Sequence, residues 1–131
     1  MTESLSHFID GRWVAGRGGR SADVFNPATG QATKKVPLAS AAEIRAAVAA
    51  AAQAQPGWGA TPPAKRAEVM FRFRALIERD ADRLAELISS EHGKTLADAK
   101  GEVSRGKEVV DFACGIPHLL KGEFKIGRAH V

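Results

Sequence analysis

The capping box at Ser40 divides this chain into a part that favours strands and a part that favours helices. Glu43 stands three residues after Ser40, at the start of an alanine-rich stretch, and this spacing is typical of a helix N-terminus. Before Ser40, short β-type segments alternate with turn residues, and after it apolar residues recur at helical spacing. The sequence therefore predicts an α/β fold in which two short β-hairpins precede three or four α-helices.

Both hairpins are predicted from their turn residues. Asp10-Gly11 suits the positive φ angles of a two-residue turn, and Asn26-Pro27 with Gly30 suits a longer one. The predicted strands are, in chain order, residues 7–9, 12–14, 23–25 and 33–36.

The first helix is predicted to begin after Ser40 and to run to about Gln55. Pro56 is expected to end it, because proline removes a backbone donor. Ile44 and Val48 are expected to be buried.

Thr61 is predicted to cap the next helix, with Pro62 at its first position, where a missing amide donor costs nothing. An apolar stripe then continues as far as Glu91. Its members are Val69, Phe73, Leu76, Ile77, Leu84, Leu87 and Ile88.

Gly93 is predicted to stop that stripe, and Thr95 with Asp98 is predicted to open the last helix. This helix should end close to Pro117. Its apolar side is expected to contain, or to lie near, Val103, Val109, Val110 and Phe112.

The stability of the last helix does not explain all of its residues, and Arg105 is one that it does not require. At helical spacing it lies one turn from Gly101 and Val109, next to small and apolar residues. The rigid fork of a guanidinium fits a carboxylate ligand, but spacing alone favours pairing with a surface carboxylate. The candidate partners on the helix are Glu102, Glu108 and Asp111.

The run EHGKTLADAKGEVSRGKEVVDFACGIPHLLKGE, with FIDGRWV and VFNPATG upstream, resembles the N-terminal region of an aldehyde dehydrogenase. GEVSRG followed by FACGIPHLLKGE narrows the resemblance to the methylmalonate-semialdehyde branch of that family. The resemblance covers nearly everything from His7 to Phe124. It also leads us to expect a helix break near Asp80.

The resemblance implies an enzyme that oxidises malonate or methylmalonate semialdehyde with NAD, passes the acyl group to coenzyme A and releases CO2. Arg105 matches the arginine that binds the substrate carboxylate in that branch. The family's catalytic cysteine and glutamate and its glycine-rich cofactor turn lie beyond the matching residues. No catalytic, cofactor-binding or metal-binding residue is therefore assigned. The family also implies a homodimer or homotetramer.

Residues 1–124 are expected to be the N-terminal part of the cofactor-binding domain and to be inactive alone. After Phe124, KIGRAHV matches no continuation that the resemblance implies. One set of codons for it, AAG ATC GGA AGA GCA CAC GTC, spells a common sequencing adapter. We therefore expect residues 125–131 to be a foreign tail produced by adapter read-through.

Two alternatives stay open. A non-acylating aldehyde dehydrogenase would use water in place of coenzyme A and release a free acid. A small helical protein that binds a partner through its amphipathic faces would carry no chemistry at all.

Composition argues against several classes of protein. Hydrophobic residues make up 44% of the chain and charged residues 26%, as in ordinary globular domains. The net charge of +4 is interleaved with Glu and Asp and lacks an aromatic platform, so nucleic acid is not predicted as a partner. No apolar run approaches a membrane span and no signal peptide is recognisable, which predicts no membrane partner and a cytoplasmic protein. The abundance of Ala, Arg and Gly predicts a bacterial source with a GC-rich genome.

Three local patterns have both a packing and a chemical interpretation. Cys114, the single cysteine, is predicted to be a packing residue, and together with His118 it makes only half a zinc site. HGKT at residues 92–95 is predicted to be a helix stop and restart rather than a phosphate-binding loop. Gly101 and Gly106 are predicted to allow close helix packing.

The two tryptophans, Trp13 and Trp58, are predicted to anchor a core or an interface.

Overall fold

The structure is a computed structural model that describes residues 3–123. Its strands are β1 (Glu3–Ser4), β2 (His7–Ile9), β3 (Arg12–Val14), β4 (Arg20–Phe25) and β5 (Ala32–Leu38). Its helices are α1 (Ala41–Ala60), α2 (Pro63–Arg79), α3 (Ala81–His92), α4 (Leu96–Cys114) and α5 (Ile116–Leu119). The predicted order, two hairpins and then helices, is confirmed, with the one-turn α5 added. Residues 125–131, predicted to be a foreign tail, lie outside the described residues.

The first hairpin forms as the turn residues predict. Asp10 and Gly11 have φ angles of 53° and 72°, so both occupy the left-handed region that a two-residue turn needs. This places Phe8 opposite Trp13, and their rings meet edge to face with centroids 5.0 Å apart.

The second hairpin joins β4 to β5 in antiparallel register. The side chain of Asn26 accepts a hydrogen bond from the backbone N–H of Ala28 at 2.9 Å, and Gly30 closes the turn with φ 70°. β1 adds a parallel third strand at the other edge of β5, and the sequence analysis did not predict it. This strand is two residues long and pairs with a segment some thirty residues away, so no local pattern announces it.

Helix α1 begins as predicted but extends further. Ser40 and Glu43 form the full capping box. The predicted stop at Pro56 is wrong, because α1 continues through it to Ala60. Thr61 closes the last turn beyond the proline, since its N–H donates to the carbonyl of Trp58 at 3.1 Å and its hydroxyl to that of Gly57 at 3.0 Å. These bonds satisfy carbonyls at the end of a helix that has lost one donor.

The predicted burial of Ile44 and Val48 is also wrong. Their exposed fractions are 54% and 63%, and α1 has no buried residue. The physical reason is that α1 lies against the small β2–β3 hairpin, which covers only part of its surface. One cavity of about 290 Å³ between them is lined by Phe8 and Ile9 of the hairpin and by alanines of α1.

The start of α2 and its junction with α3 correct two expectations. Thr61 does not cap α2, because its hydroxyl is used by α1; Pro62 is the N-cap and makes no side-chain bond. The apolar stripe is not one continuous helix either, since Asp80 (φ −101°, ψ 14°) separates α2 from α3. The break that the family resemblance led us to expect near Asp80 is therefore confirmed. It lets both helices pack on α4.

The remaining helix signals are confirmed. Gly93 ends α3 in the left-handed region with φ 81°, and the Thr95 hydroxyl accepts from the N–H of Asp98 at 3.2 Å. α4 ends at Cys114, ahead of Pro117, which lies in the first turn of α5. The buried residues of the described chain are small: Ala67, Ala85, Ala99, Val110 and Cys114.

Candidate functional site

Helix α4 has a buried side and an uncovered apolar side. Ala99, Val110 and Cys114 are buried where α4 packs on α2 and α3. Val109 and Phe112 lie on the other side, with 69% and 67% of their surface exposed. In a helix of 3.6 residues per turn, successive residues are about 100° apart around the axis, so Val110 faces a different side from Val109 and Phe112. The prediction of a single apolar side is therefore wrong.

Arg105 lies on the uncovered side of α4. It is exposed, and helical spacing aligns it with Val109 and Phe112. Within residues 3–123, its guanidinium makes no hydrogen bond or salt bridge to another side chain. Arg105 is therefore a free cation on an apolar helix face in the part of the chain that the structure describes.

The carboxylates proposed as surface partners of Arg105 are not paired with it. Glu102 accepts a hydrogen bond from Lys94, and Asp111 accepts one from Arg74 of α2. The third candidate, Glu108, forms no ion pair with Arg105 among the described residues. Arg105 therefore pairs with none of the three predicted surface partners among the described residues.

Lys94 keeps the nearest carboxylate engaged. Its hydrogen bond is the main cause that lowers the pKa of Glu102, and the positive charge of Arg105 makes a smaller contribution in the same direction. Lys94 is the better shielded partner, with 19% of its side chain exposed against 43% for Glu102. The sequence analysis did not identify Lys94, because it lies eight residues before Glu102 and outside the helix, where no spacing rule connects them.

The arrangement can bind an anion with a planar, two-oxygen head. A guanidinium donates two parallel hydrogen bonds to a carboxylate, and an apolar surrounding strengthens such bonds by excluding water. Val109 and Phe112 lie beside Arg105, but with 69% and 67% of their surface exposed they do not exclude water from it in the described chain. Within one helical turn of Arg105, α4 has neither a cysteine nor a histidine, so binding is the role that this geometry supports.

The other candidate residues are not brought together at this face. Cys114 is buried, whereas His118 is exposed on α5. Among residues 3–123, no group of three or more His, Cys, Asp or Glu could hold a metal ion. HGKT is the stop of α3 and the restart of α4, as predicted.

Gly101 and Gly106 both lie inside α4, and the predicted close packing is wrong for the described chain. A Cβ added at either would meet nothing within 4 Å beyond the backbone of its own helix and its two chain neighbours. Neither glycine follows a strand, so they do not form a glycine-rich turn at a helix N-terminus.

Neither tryptophan lies in a core of the described chain. Trp13 and Trp58 have exposed fractions of 75% and 48%. Their role as interface anchors stays a prediction.

Among the helices described, none combines the length and hydrophobicity needed to cross a membrane.

Comparisons with known proteins point to one family. The aldehyde dehydrogenase family matches residues 13–130. A malonate-semialdehyde dehydrogenase of Pseudomonas aeruginosa is 54% identical over 92% of this chain and 24% of its own length. An acylating mitochondrial methylmalonate-semialdehyde dehydrogenase of Arabidopsis thaliana is 44% identical over 95% of this chain and 20% of its own length.

A solved structure agrees with these relatives. A Sinorhizobium meliloti protein, described as a methylmalonate-semialdehyde dehydrogenase and solved in complex with NAD, superposes with a TM-score of 0.91 and 51% identity. The match covers 99% of this chain and 26% of that one, so the chain spans about a quarter of the length of the proteins it matches. The matched range, the sequence identities and the superposition together show that the chain belongs to the aldehyde dehydrogenase family.

Proposed function

We propose that the protein containing this chain is an NAD-dependent, coenzyme A-acylating dehydrogenase of malonate or methylmalonate semialdehyde. Arg105 binds the carboxylate of the semialdehyde and so selects it over aldehydes that lack one. Residues 1–124 form the start of the cofactor-binding domain. The segment alone has no turnover, and the full-length protein works in the cytoplasm as a homodimer or homotetramer.

The structural observation that supports this proposal, beside the family resemblance that supplies the role, is the unpaired guanidinium of Arg105 on the uncovered side of α4. Two of its three possible surface partners are engaged by other cations, and the third is not bound to it. An arginine already paired within the described chain would have fewer free N–H donors for a substrate carboxylate. Malonate-semialdehyde substrates carry the carboxylate that such an arginine recognises.

The expected size of the selection follows from the strength of charged hydrogen bonds. Such a bond is worth about 1.5 to 3 kcal/mol net. At about 1.4 kcal/mol per tenfold, Arg105 would favour a carboxylate-bearing semialdehyde by roughly one to two orders of magnitude.

NAD and coenzyme A enter the proposal through the relatives. The Sinorhizobium meliloti protein was solved with NAD, and the Arabidopsis thaliana enzyme is named as acylating. NAD would accept the hydride of the aldehyde in the full-length protein. Within this chain, the residues that support the proposal bind and orient the substrate carboxylate.

The first experiment replaces Arg105 in the full-length protein. We expect Arg105→Leu to lower the ratio of kcat/KM for malonate semialdehyde to kcat/KM for propanal by roughly tenfold to a hundredfold, because only the semialdehyde has a carboxylate. Steady-state NADH formation with each aldehyde measures the ratio.

Arg45→Leu is the matched control, because Arg45 is an exposed arginine on α1. It removes the same charge at a distant helix and should leave the ratio as in the wild type. An unchanged ratio in Arg105→Leu would contradict the substrate role.

A second experiment separates the acylating enzyme from a non-acylating one. With coenzyme A present, the proposal requires a thioester product and CO2. Mass spectrometry of the product showing only free acid would favour the non-acylating alternative, without changing the assignment of Arg105.

A further inference from the structure

Gly101 is unusual because nothing in the described structure requires a glycine there. It lies inside α4, where glycine is a poor helix former, and its φ is not in the left-handed region. A Cβ at this position would meet nothing within 4 Å beyond its own helix backbone and its chain neighbours. Neither backbone geometry nor packing among residues 3–123 therefore explains the residue.

The position of Gly101 relative to Arg105 suggests an explanation. Gly101 precedes Arg105 by four residues and lies one turn away on the same side of the helix. Long side chains on a helix run back toward its N-terminus, over the turn that precedes them. This direction would carry the Arg105 side chain toward Gly101, and no atom of it lies within 4 Å of a Cβ placed there, so the space stays open.

The charges around Arg105 agree with this direction. Arg105 contributes to the lowered pKa of Glu102, which lies on the N-terminal side of it. Glu102 is itself held by Lys94, and its side chain leaves the helix about 100° around the axis from the position of Gly101. The open space at Gly101 thus lies one helical turn from an unpaired guanidinium and next to a carboxylate that is already paired with Lys94.

We propose that Gly101 forms a recess that admits the substrate carboxylate to Arg105, and that a side chain at this position would exclude it. The inference rests on the proposed function, because it assumes that Arg105 binds a carboxylate. Gly101 is then a specificity-determining residue for small carboxylated aldehydes.

The test compares Gly101→Ala and Gly101→Leu with Gly106→Ala in the full-length protein. Gly106 lies on the same helix, its Cβ would also meet nothing within 4 Å, and it is off the Arg105 side. Both alanine variants should raise the apparent melting temperature slightly, because alanine is the better helix former. This matched pair separates helix stability from substrate exclusion.

We expect Gly101→Leu to lower the ratio of kcat/KM for malonate semialdehyde to that for propanal by about tenfold or more, mainly through KM, with a smaller fall in Gly101→Ala. Malonate, a dicarboxylate without a reacting aldehyde, should protect the wild type from thermal unfolding and protect Gly101→Leu less. Gly106→Ala should behave as the wild type in both measurements.

The outcomes separate this inference from the proposed function. A normal ratio in Gly101→Leu, with a reduced ratio in Arg105→Leu, would overturn the recess and leave the carboxylate role of Arg105 intact. An equal loss with both aldehydes in Gly101→Leu would also overturn it. A normal ratio in Arg105→Leu would overturn the proposed function itself.

Discussion

Glu43 connects two segments of the chain through its carboxylate. One oxygen accepts from the backbone N–H of Arg17 at 2.6 Å, and the other accepts from the N–H and hydroxyl of Ser40 at 2.8 and 2.7 Å. The backbone bonds from Ser40 and Arg17, followed by the Ser40 hydroxyl, lower the pKa of Glu43 from 4.5 to about 2. Glu43, the glutamate of the capping box of α1, therefore also holds the segment between β3 and β4.

The lowered pKa of Glu43 predicts a pH-dependent attachment of that segment. A carboxylate with a depressed pKa stabilises the folded state above its unfolded pKa, and the contribution disappears as pH falls through the folded value. The contribution of Glu43 should thus be complete above pH 4.5 and vanish towards pH 2. Hydrogen exchange by mass spectrometry on the full-length protein should show faster exchange at Arg17 in Glu43→Gln, with the difference shrinking on acidification.

Glu68→Gln is the control for this measurement, since the pKa of Glu68 is lowered mainly by a hydrogen bond from Lys65 within α2. It should not change exchange at Arg17. Equal exchange at Arg17 in Glu43→Gln and the wild type at neutral pH would show that the carboxylate does not hold the segment.

At the scale of elements, the end of α3 is fitted against the turn of the second hairpin. A Cβ at Gly93 would lie 2.9 Å from Cβ of Pro27, closer than such atoms approach in proteins. A salt bridge of 3.2 Å between Lys34 and Glu91 joins the same two elements. The second hairpin and the end of α3 therefore meet at Gly93, where the close approach of Pro27 leaves no room for a side chain.

Gly93→Ala should destabilise the protein more than Gly30→Ala. Both glycines have positive φ, 81° and 70°, so both substitutions incur the left-handed penalty of about 1–2 kcal/mol. Only Gly93 has a close neighbour, and overpacking adds about 1–3 kcal/mol. Thermal denaturation of the full-length variants at one heating rate measures the difference. Equal losses would mean that Pro27 moves aside without cost.

Sequence predicted the elements well where the signal was local. The positive-φ pair Asp10-Gly11, the cap at Ser40 and the stop at Gly93 each depend on a few neighbouring residues. Prediction failed where distant contacts decide. The parallel β1 needs a partner far along the chain, and the exposure of Ile44 depends on how little of α1 the hairpin covers.

The candidate site shows the same division. The spacing of α4 placed Arg105 beside Val109, and the structure bears this out. Its freedom from partners could not be predicted, because it depends on Lys94 and Arg74, which reach Glu102 and Asp111 from other elements. The carboxylate role still rests on the family resemblance and stays a prediction.

At the scale of the whole molecule, the described chain has a small core and a large apolar surface. No large side chain is fully buried. Large apolar residues are exposed on the first hairpin and on all five helices; among them are Phe8, Trp13, Val48, Phe71, Leu87, Val109, Phe112 and Leu119. Apolar surface of this extent is typical of a face that another part of a protein covers.

Because of this apolar surface, the 131-residue chain should self-associate when purified alone. Because the family's catalytic cysteine and glutamate lie beyond the matching residues, the chain should also form no NADH from methylmalonate semialdehyde and NAD. Size-exclusion chromatography with light scattering, together with binding of a hydrophobic dye, measures the association. The full-length protein is the control and should bind little dye. A monomeric chain with a cooperative melt and no dye binding would favour the small partner-binding protein instead, and NADH formation by it would refute the predicted inactivity.

The burial of Cys114 makes its rate of chemical labelling a measure of how often the packed helices separate. It is the single thiol of the chain, has 7% of its surface exposed, and ends α4, which packs on α2. A thiol reagent can label it only when the helices separate. The labelling half-time of Cys114 therefore reports how often these helices separate. Comparing this half-time between the isolated chain and the full-length protein measures how much the rest of the protein changes the frequency of opening.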